Sequence, residues 1–166
     1  GHHAVDPETT LKRIEPLAEV AGITRTADIT DLDRIGIPVF SSIRPSAESG
    51  AISVYNGKGL TKDEAKVSSI MEGIERYCAE QGSMQVVRAG VEEFMAANNA
   101  VHPMDLILPQ GAAYTLSRYQ VGWVKGTELN SMSEMWVPAS AVFHPYSSKL
   151  DMMLFRTSTN GLASGN

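Results

Sequence analysis

The sequence predicts a mixed α/β domain of the α+β type, in which a sheet is packed by helices. Three observations support this prediction. The 166 residues are 43% hydrophobic and 20% charged, which is the composition of a globular domain with a real core. Stretches that alternate in strand fashion surround one long helical segment at 61–80. Two of these stretches, at 120–128 and 135–137, are separated by a polar turn and therefore predict an antiparallel hairpin.

The first element is predicted to be a helix that begins after Asp6. Aspartate is a favoured N-cap residue, and Pro7 suits the first helical position, where no backbone N–H is needed. Apolar residues follow at helical spacing. Pro16 is expected to kink or split this helix, and Gly22 is expected to end it.

Short strands and one further helix are predicted on either side of the central helix, where apolar residues alternate between polar turns. The strands are predicted at 24–29, 37–43, 51–55, 85–88, 120–128, 135–137 and 152–156. A short helix is predicted at 91–98 and a helical turn at 138–143. The sheet is expected to carry the central helix on the apolar stripe of that helix.

The central helix at 61–80 is the most informative stretch of the chain. Thr61 and Glu64 have the spacing of a capping box, which marks a helix start. At ~100° per residue the segment separates into two faces. The first is apolar and is predicted to face the core: Val67, Ile70, Met71, Ile74, Tyr77 and Cys78. The second combines two acids and an arginine with small residues: Ala65, Ser68, Ser69, Glu72, Glu75, Arg76 and Ala79.

This second face has two interpretations. On a solvated surface the Glu72–Arg76 pair at i, i+4 would stabilise the helix by roughly 0.2–0.5 kcal/mol and do nothing more. A solvated face usually carries long polar side chains, however, so the small residues favour close packing against another group. Glu72 and Glu75 would then be partly desolvated, and a divalent cation, which prefers oxygen ligands, would compensate.

Lys58 lies between two glycines in the segment YNGKGL at 55–60, just before the central helix. Such a segment is compatible with an anion-binding turn at a helix N-terminus and also with an ordinary strand-to-helix loop. G-K-G alone is a weak signal. Its combination with a following S-x-x-E-x-x-E-R is much more specific.

Composition excludes several classes of function. The net charge of −5 argues against nucleic acid as a partner. No run of about 18 apolar residues and no secretory signal is present, so no membrane span is expected. The single cysteine, Cys78, lies on the apolar face of the central helix, which predicts a buried, inert thiol. Together these features predict a reducing, cytoplasmic location.

These motifs together resemble the YcaO family of ATP-dependent enzymes that modify peptide backbones. GKGLTKDEAKVSSIMEGIERYCAE at 57–80 is similar to the first signature of the family. GITR at 22–25, ITDLDRIGIPVF at 29–40 and Arg44-Pro45 resemble its N-terminal block. NGLASGN at 160–166 is similar to the segment that opens its second signature. The resemblance therefore covers most of the chain.

The resemblance implies which residues bind ATP and Mg²⁺. In the YcaO family the E-x-x-E-R helix occurs twice, and the two helices hold Mg²⁺ ions bound to the phosphates of ATP. Glu72 and Glu75 would accordingly be Mg²⁺ ligands, directly or through water. Arg76 would orient a carboxylate or contact the nucleotide. The remaining ATP-binding positions implied are Ser69 on the same surface, Lys58 near a phosphate, and Asn166 at the start of the second signature.

The resemblance also implies an incomplete domain, because the second E-x-x-E-R helix is not found within these 166 residues. Residues 1–166 are therefore expected to be the N-terminal portion of a YcaO domain that needs the C-terminal half of the same protein and is inactive alone. The full-length protein is expected to form a homodimer.

The reaction implied is activation of a peptide amide. A nucleophile adds to the backbone carbonyl, the oxyanion attacks the γ-phosphate of ATP, and phosphate leaves with the oxygen. External sulfide gives a thioamide, whereas a neighbouring Cys, Ser or Thr side chain gives an azoline. The chain is similar to archaeal-type members linked to glycine thioamidation of the methyl-coenzyme M reductase alpha subunit, often with a TfuA-type sulfur-delivery partner. Thioamidation is favoured on that similarity; the alternatives are an azoline-forming cyclodehydratase and a silent module that binds a peptide or protein partner.

Overall fold

The computed structural model of the chain describes residues 4–32, 34–48, 52–106, 116, 118 and 120–146. The chain forms two compact units, Gly1–Cys78 and Ala79–Asn166, which we call the first and the second unit. Helices accompany a small antiparallel sheet in each, so the predicted mixed α/β fold class is confirmed. The predicted strand at 152–156 and the site residue Asn166 lie outside the described residues. None of the described helices is long and apolar enough to cross a bilayer.

Helix α1, Pro7–Val20, begins and ends as its sequence predicts. The Asp6 carboxylate accepts a hydrogen bond from the Thr9 backbone N–H at 2.9 Å. At the other end Gly22 has φ +76°, and the N–H groups of Gly22 and Ile23 bond back to the last turn, which is a Schellman termination. The expectation that Pro16 splits this helix is wrong. The helix continues through it because Leu11, Ile14 and Ala18 are buried together on one side.

The sheet of the first unit has the order β1-β2-β3 and is antiparallel throughout. Its strands are β1 Arg25–Asp28, β2 Val39–Ile43 and β3 Val54–Lys58. Ser42 lies opposite Tyr55, and Phe40 lies opposite Gly57, so these four residues share one face. Strand β3 begins later than the predicted 51–55, and it contains Gly57 and Lys58. Two residues of the G-K-G segment thus belong to the strand, and Gly59 leads from it toward α2.

Helix α2, Lys62–Ala79, is the predicted central helix. Its capping box is present: the Glu64 N–H bonds to Thr61 Oγ1 at 3.2 Å, and Glu64 Oε2 accepts from the Thr61 N–H at 3.1 Å. The same carboxylate oxygen accepts from the Leu60 N–H at 2.7 Å. The helix start was therefore predicted correctly from local sequence alone.

The expected core face of α2 is only partly correct. Val67, Ile70 and Ile74 do pack on the buried side chains of α1. Met71 and Cys78 are exposed, so the prediction of a buried thiol is wrong. The sheet is also not carried on the apolar stripe. It lies against the small-residue side of α2, where Ala65, Ser69, Gly73 and Arg76 are buried.

The second unit contains the predicted hairpin. Its sheet has the order β4-β5-β6, with β4 Val87–Ala89, β5 Val121–Thr127 and β6 Glu134–Pro138, and a short helix, α3 Val91–Ala97, precedes β5. Strands β5 and β6 pair antiparallel, as predicted. The core is aromatic: the Phe94 ring stacks on Trp123 with centroids 4.7 Å apart and meets Trp136 edge-on at 5.2 Å. The helical turn expected at 138–143 is a 3₁₀ turn at Ala139–Ala141.

Candidate functional site

Helix α2 packs unusually close to strand β3, and Gly57 makes this possible. A Cβ atom built on Gly57 would lie 2.7 Å from the Ser68 carbonyl carbon and closer still to Ser69 N and Ala65 O. One turn further along, a Cβ on Gly73 would lie 2.8 Å from Ile23 Cδ1. The predicted close packing of the small-residue face is therefore confirmed, but the group that packs against it is the sheet of the chain itself.

Ser69 is buried by this packing. Its side chain has no exposed surface, and its Oγ lies 2.8 Å from the equally buried Ser42 Oγ on β2. Ser69 Oγ also donates to the Lys66 carbonyl at 3.0 Å. In this structure the sheet thus occupies the side of the helix that carries Ser69, and its expected role on a ligand surface remains a prediction. The serine exposed on the acidic side is Ser68.

The first turn of α2 is tied to β1 by an ion pair. Lys62 Nζ lies 2.7 Å from Asp28 Oδ2, and Asp28 Oδ1 accepts from the backbone and the hydroxyl of Thr30. The Lys62 hydrogen bond, followed by those of Thr30, lowers the pKa of Asp28 to about 2. The same pairing raises the pKa of Lys62. Asp28 was not singled out from the sequence, where nothing marks it as the partner of a lysine 34 positions away.

The acid pair lies on the rim and the outer side of α2. Glu72 Oε1 is 3.8 Å from Nη2 of Arg76, whose side chain is 8% exposed, whereas the Glu72 side chain is 32% exposed. Glu75 lies ~60° further round the helix, away from the sheet, and is exposed. The expected desolvation of both acids is thus confirmed for Glu72 and wrong for Glu75. One carboxylate thus forms an ion pair with a buried guanidinium, and the other is open to solvent.

Lys58 is exposed at the end of β3 and lines two open pockets of the first unit. One, of about 520 Å³, is shared with Glu64 and Ser68 of α2. The other, of about 390 Å³, is shared with Ile37 and Leu60. Ser68 precedes Glu72 by four residues, so Lys58 lies on the side of the helix that carries the acids. Helical spacing could have identified Ser68 from the sequence.

The donor set suits Mg²⁺ bound to a phosphate ligand. Mg²⁺ is usually held by one or two carboxylates, with waters and substrate phosphates filling the other positions. In the roles expected from the sequence, Glu72 and Glu75 would supply two such carboxylates one turn apart, and Lys58 would supply a cation for phosphate. Within the described ranges, no group of three or more His, Cys, Asp or Glu residues could hold a metal ion without further ligands. The arrangement would fit one half of a site for a nucleotide–Mg²⁺ complex, which remains a prediction.

Comparison with known families identifies this class of site. Residues 56–166 match the model of the family described as YcaO cyclodehydratase, ATP- and Mg²⁺-binding. The matched range includes all of α2 and covers more than half of the chain. The chain therefore belongs to the YcaO family. ATP and Mg²⁺, the cofactors expected from the sequence, are thereby confirmed.

Curated relatives match nearly the whole chain. An uncharacterized protein of Methanothermobacter thermautotrophicus is 45% identical over 98% of the chain, which covers 41% of that relative. An uncharacterized protein of Mycobacterium tuberculosis is 32% identical over 99% of the chain, and the match spans 37% of that relative. An uncharacterized protein from the tfuA 3′ region of Rhizobium leguminosarum bv. trifolii is 32% identical over 98% of the chain, and the match spans 38% of that relative. The chain thus spans about two fifths of the length of these relatives.

Two solved structures resemble the fold. YcaO from Methanopyrus kandleri, bound with AMPPCP and Mg²⁺, superposes with a TM-score of 0.61 at 29% identity, over 90% of this chain and 36% of that one. A heterocyclase in complex with substrate and cofactor gives a TM-score of 0.67 at 21% identity, over 97% of this chain and 25% of that one. The second likeness shows the fold alone. The individual roles expected of Lys58, Glu72, Glu75, Arg76 and Asn166 remain predictions.

Proposed function

We propose that this chain supplies one half of an ATP- and Mg²⁺-binding site in an enzyme that activates a peptide backbone amide. The observation that carries the proposal is the arrangement on α2: Glu72 lies 3.8 Å from the buried Arg76, and the exposed Glu75 follows one turn on. The AMPPCP and Mg²⁺ bound by the Methanopyrus kandleri protein support the same ligands here. The C-terminal part of the protein would supply the other half, and the intact protein would be a homodimer.

The proposed residue roles follow from charge and exposure. Glu72 and Glu75 would hold Mg²⁺, directly or through water. Arg76 would keep the Glu72 carboxylate in one orientation, and Lys58 and Asn166 would contact the nucleotide. The metal would supply neutralisation of the phosphate charge that develops during phosphoryl transfer. The chain itself would contribute a rigid helix that keeps the carboxylates in place as the ligand binds.

A chemical reason connects ATP to a peptide substrate. An amide carbonyl is a weak electrophile, and its oxygen leaves poorly unless it is converted to a phosphate ester. An enzyme that replaces this oxygen therefore benefits from a γ-phosphate held near the amide. We propose external sulfide as the nucleophile, which gives a thioamide on a glycine of a protein substrate such as the methyl-coenzyme M reductase alpha subunit. The relative from a tfuA 3′ region supports a TfuA-type sulfur-delivery partner.

The test is mass spectrometry of candidate peptides incubated with the intact protein, ATP, Mg²⁺ and sulfide. Thioamidation exchanges one oxygen for one sulfur, so a mass gain of about 16 Da is expected, with release of phosphate that depends on the peptide. Loss of one water, a decrease of about 18 Da, would instead identify an azoline-forming cyclodehydratase. A protein that binds the peptide but consumes no ATP, with or without sulfide, would be a silent binding module.

A further inference from the structure

We propose that Ser42, which belongs to none of the motifs, is a positioning residue for the acid pair of α2. It would fix the rotation of the helix on the sheet, and with it the direction in which Glu72 and Glu75 point. This inference rests on the proposed nucleotide–Mg²⁺ function of α2.

The hydroxyl pair of Ser42 and Ser69 is directional. Both side chains have no exposed surface, and their oxygens lie 2.8 Å apart. Ser69 Oγ also lies 3.0 Å from the Lys66 carbonyl, which can only accept. When Ser69 donates to that carbonyl, it accepts from Ser42, so Ser42 is the donor between strand and helix. Because water has no access to the pair, the bond has no solvent competitor.

The other contacts of α2 are of different kinds: Val67, Ile70 and Ile74 pack on α1, and the Tyr77 ring lies 5.8 Å from the Arg44 guanidinium. Gly57 presents no side chain, so the backbone of α2 at Ala65 and Ser69 rests directly on the strand. Backbone lying on a glycine lacks the interdigitated side chains that lock most helices to sheets. The Asp28–Lys62 pair constrains only the first turn, and both of its side chains are substantially exposed. The buried hydroxyl pair adds to these a directional contact three residues from Glu72.

A small rotation matters at this distance from the helix axis. Side chains extend about 5–6 Å from the axis of an α-helix. A rotation of about 10° therefore moves a carboxylate by about 1 Å. A displacement of about 1 Å in the position of a catalytic group can lower the reaction rate about 100-fold. Ser69 precedes Glu72 by three residues, so a shift at Ser69 passes along the rigid helix to the acids.

The experiment compares Ser42→Ala, Ser69→Ala and the double variant with wild type, in the intact protein. Ser41→Ala is the matched control, because Ser41 is the neighbouring serine of β2, is almost as buried, and points to the opposite face of the sheet. Calorimetry measures AMPPCP binding with and without Mg²⁺, and thermal unfolding measures stability. We expect Mg²⁺-dependent binding to weaken about tenfold in all three test variants, without additivity in the double variant. Binding without Mg²⁺ and the control should remain at wild-type levels.

Each other outcome overturns the proposal. The double variant folds even where a single variant is unstable, because it leaves no unpaired hydroxyl in the core. If it binds Mg²⁺ and AMPPCP within twofold of wild type, Ser42 does not position the acids, although the proposed function survives. An equal loss with and without Mg²⁺ would indicate general damage to the fold. Failure of wild type to bind AMPPCP with Mg²⁺ would overturn both the positioning role and the proposed function.

Discussion

Replacement of Gly57 by alanine tests the close packing of α2 on β3. The added Cβ would lie 2.7 Å from Ser68 C, whereas ordinary contact begins at 3.4 Å, so the helix would have to retreat by at least 0.7 Å (3.4 less 2.7). All three nearest atoms belong to helix backbone, so no side-chain rotation relieves the overlap. We expect the free energy of unfolding to fall by an amount near the upper end of the range of about 1–3 kcal/mol that is typical of overpacking. At about 2–4 °C per kcal/mol, this corresponds to a fall in Tm of about 6–12 °C.

The assay is thermal unfolding followed by circular dichroism, with Gly126→Ala as the control. Gly126 is also interior to a strand, β5, but a Cβ there would meet its nearest atom at 3.7 Å, which is ordinary contact. Its replacement should change the free energy of unfolding by less than about 1 kcal/mol. Equal melting temperatures for Gly57→Ala and wild type would show that α2 can move away from the sheet at no cost, which contradicts the packing described.

Three further predictions concern the surface of the first unit. Glu72→Gln and Glu75→Gln should each weaken Mg²⁺-dependent AMPPCP binding about 10–100-fold by calorimetry; unchanged affinity in both would remove the metal-ligand assignment. Because Asp28 has a folded pKa of about 2, below its unfolded value of 3.8, it contributes stability above about pH 4 that is lost as the pH falls through 2. Asp28→Asn should therefore lower the urea midpoint much more at pH 7 than at pH 2, and an equal effect at both would be inconsistent with the Lys62 pairing. Ellman's reagent should modify Cys78 in this 166-residue chain without denaturant, whereas a thiol that reacts only in urea would contradict its exposure.

Local sequence signals were sufficient to predict much of the fold. The Asp6 cap, the Gly22 termination and the Thr61–Glu64 box each depend on residues within one or two turns, and all three are present. The β5–β6 hairpin is equally local and was also predicted. The E-x-x-E-R motif led to the correct family.

Non-local contacts account for the errors. Helical periodicity separated the two faces of α2 but could not show that the sheet would choose the small-residue face. That choice depends on Gly57, whose missing side chain is compatible with a loop, a strand or a phosphate turn in the sequence. The same ambiguity accounts for the prediction that Cys78 lies in the core, whereas the structure exposes it. The Ser42–Ser69 bond joins residues 27 positions apart, and no local pattern reports such a pair.

The placement of the aromatic cluster affects how this protein can be followed in solution. Both tryptophans of the chain, Trp123 and Trp136, belong to the second unit, and Trp123 is fully shielded from solvent against the ring of Phe94. Indole emission will consequently monitor melting of that unit, whereas the first unit contains no tryptophan. A dye or an introduced indole near Glu72 would place a fluorescent probe in the first unit itself.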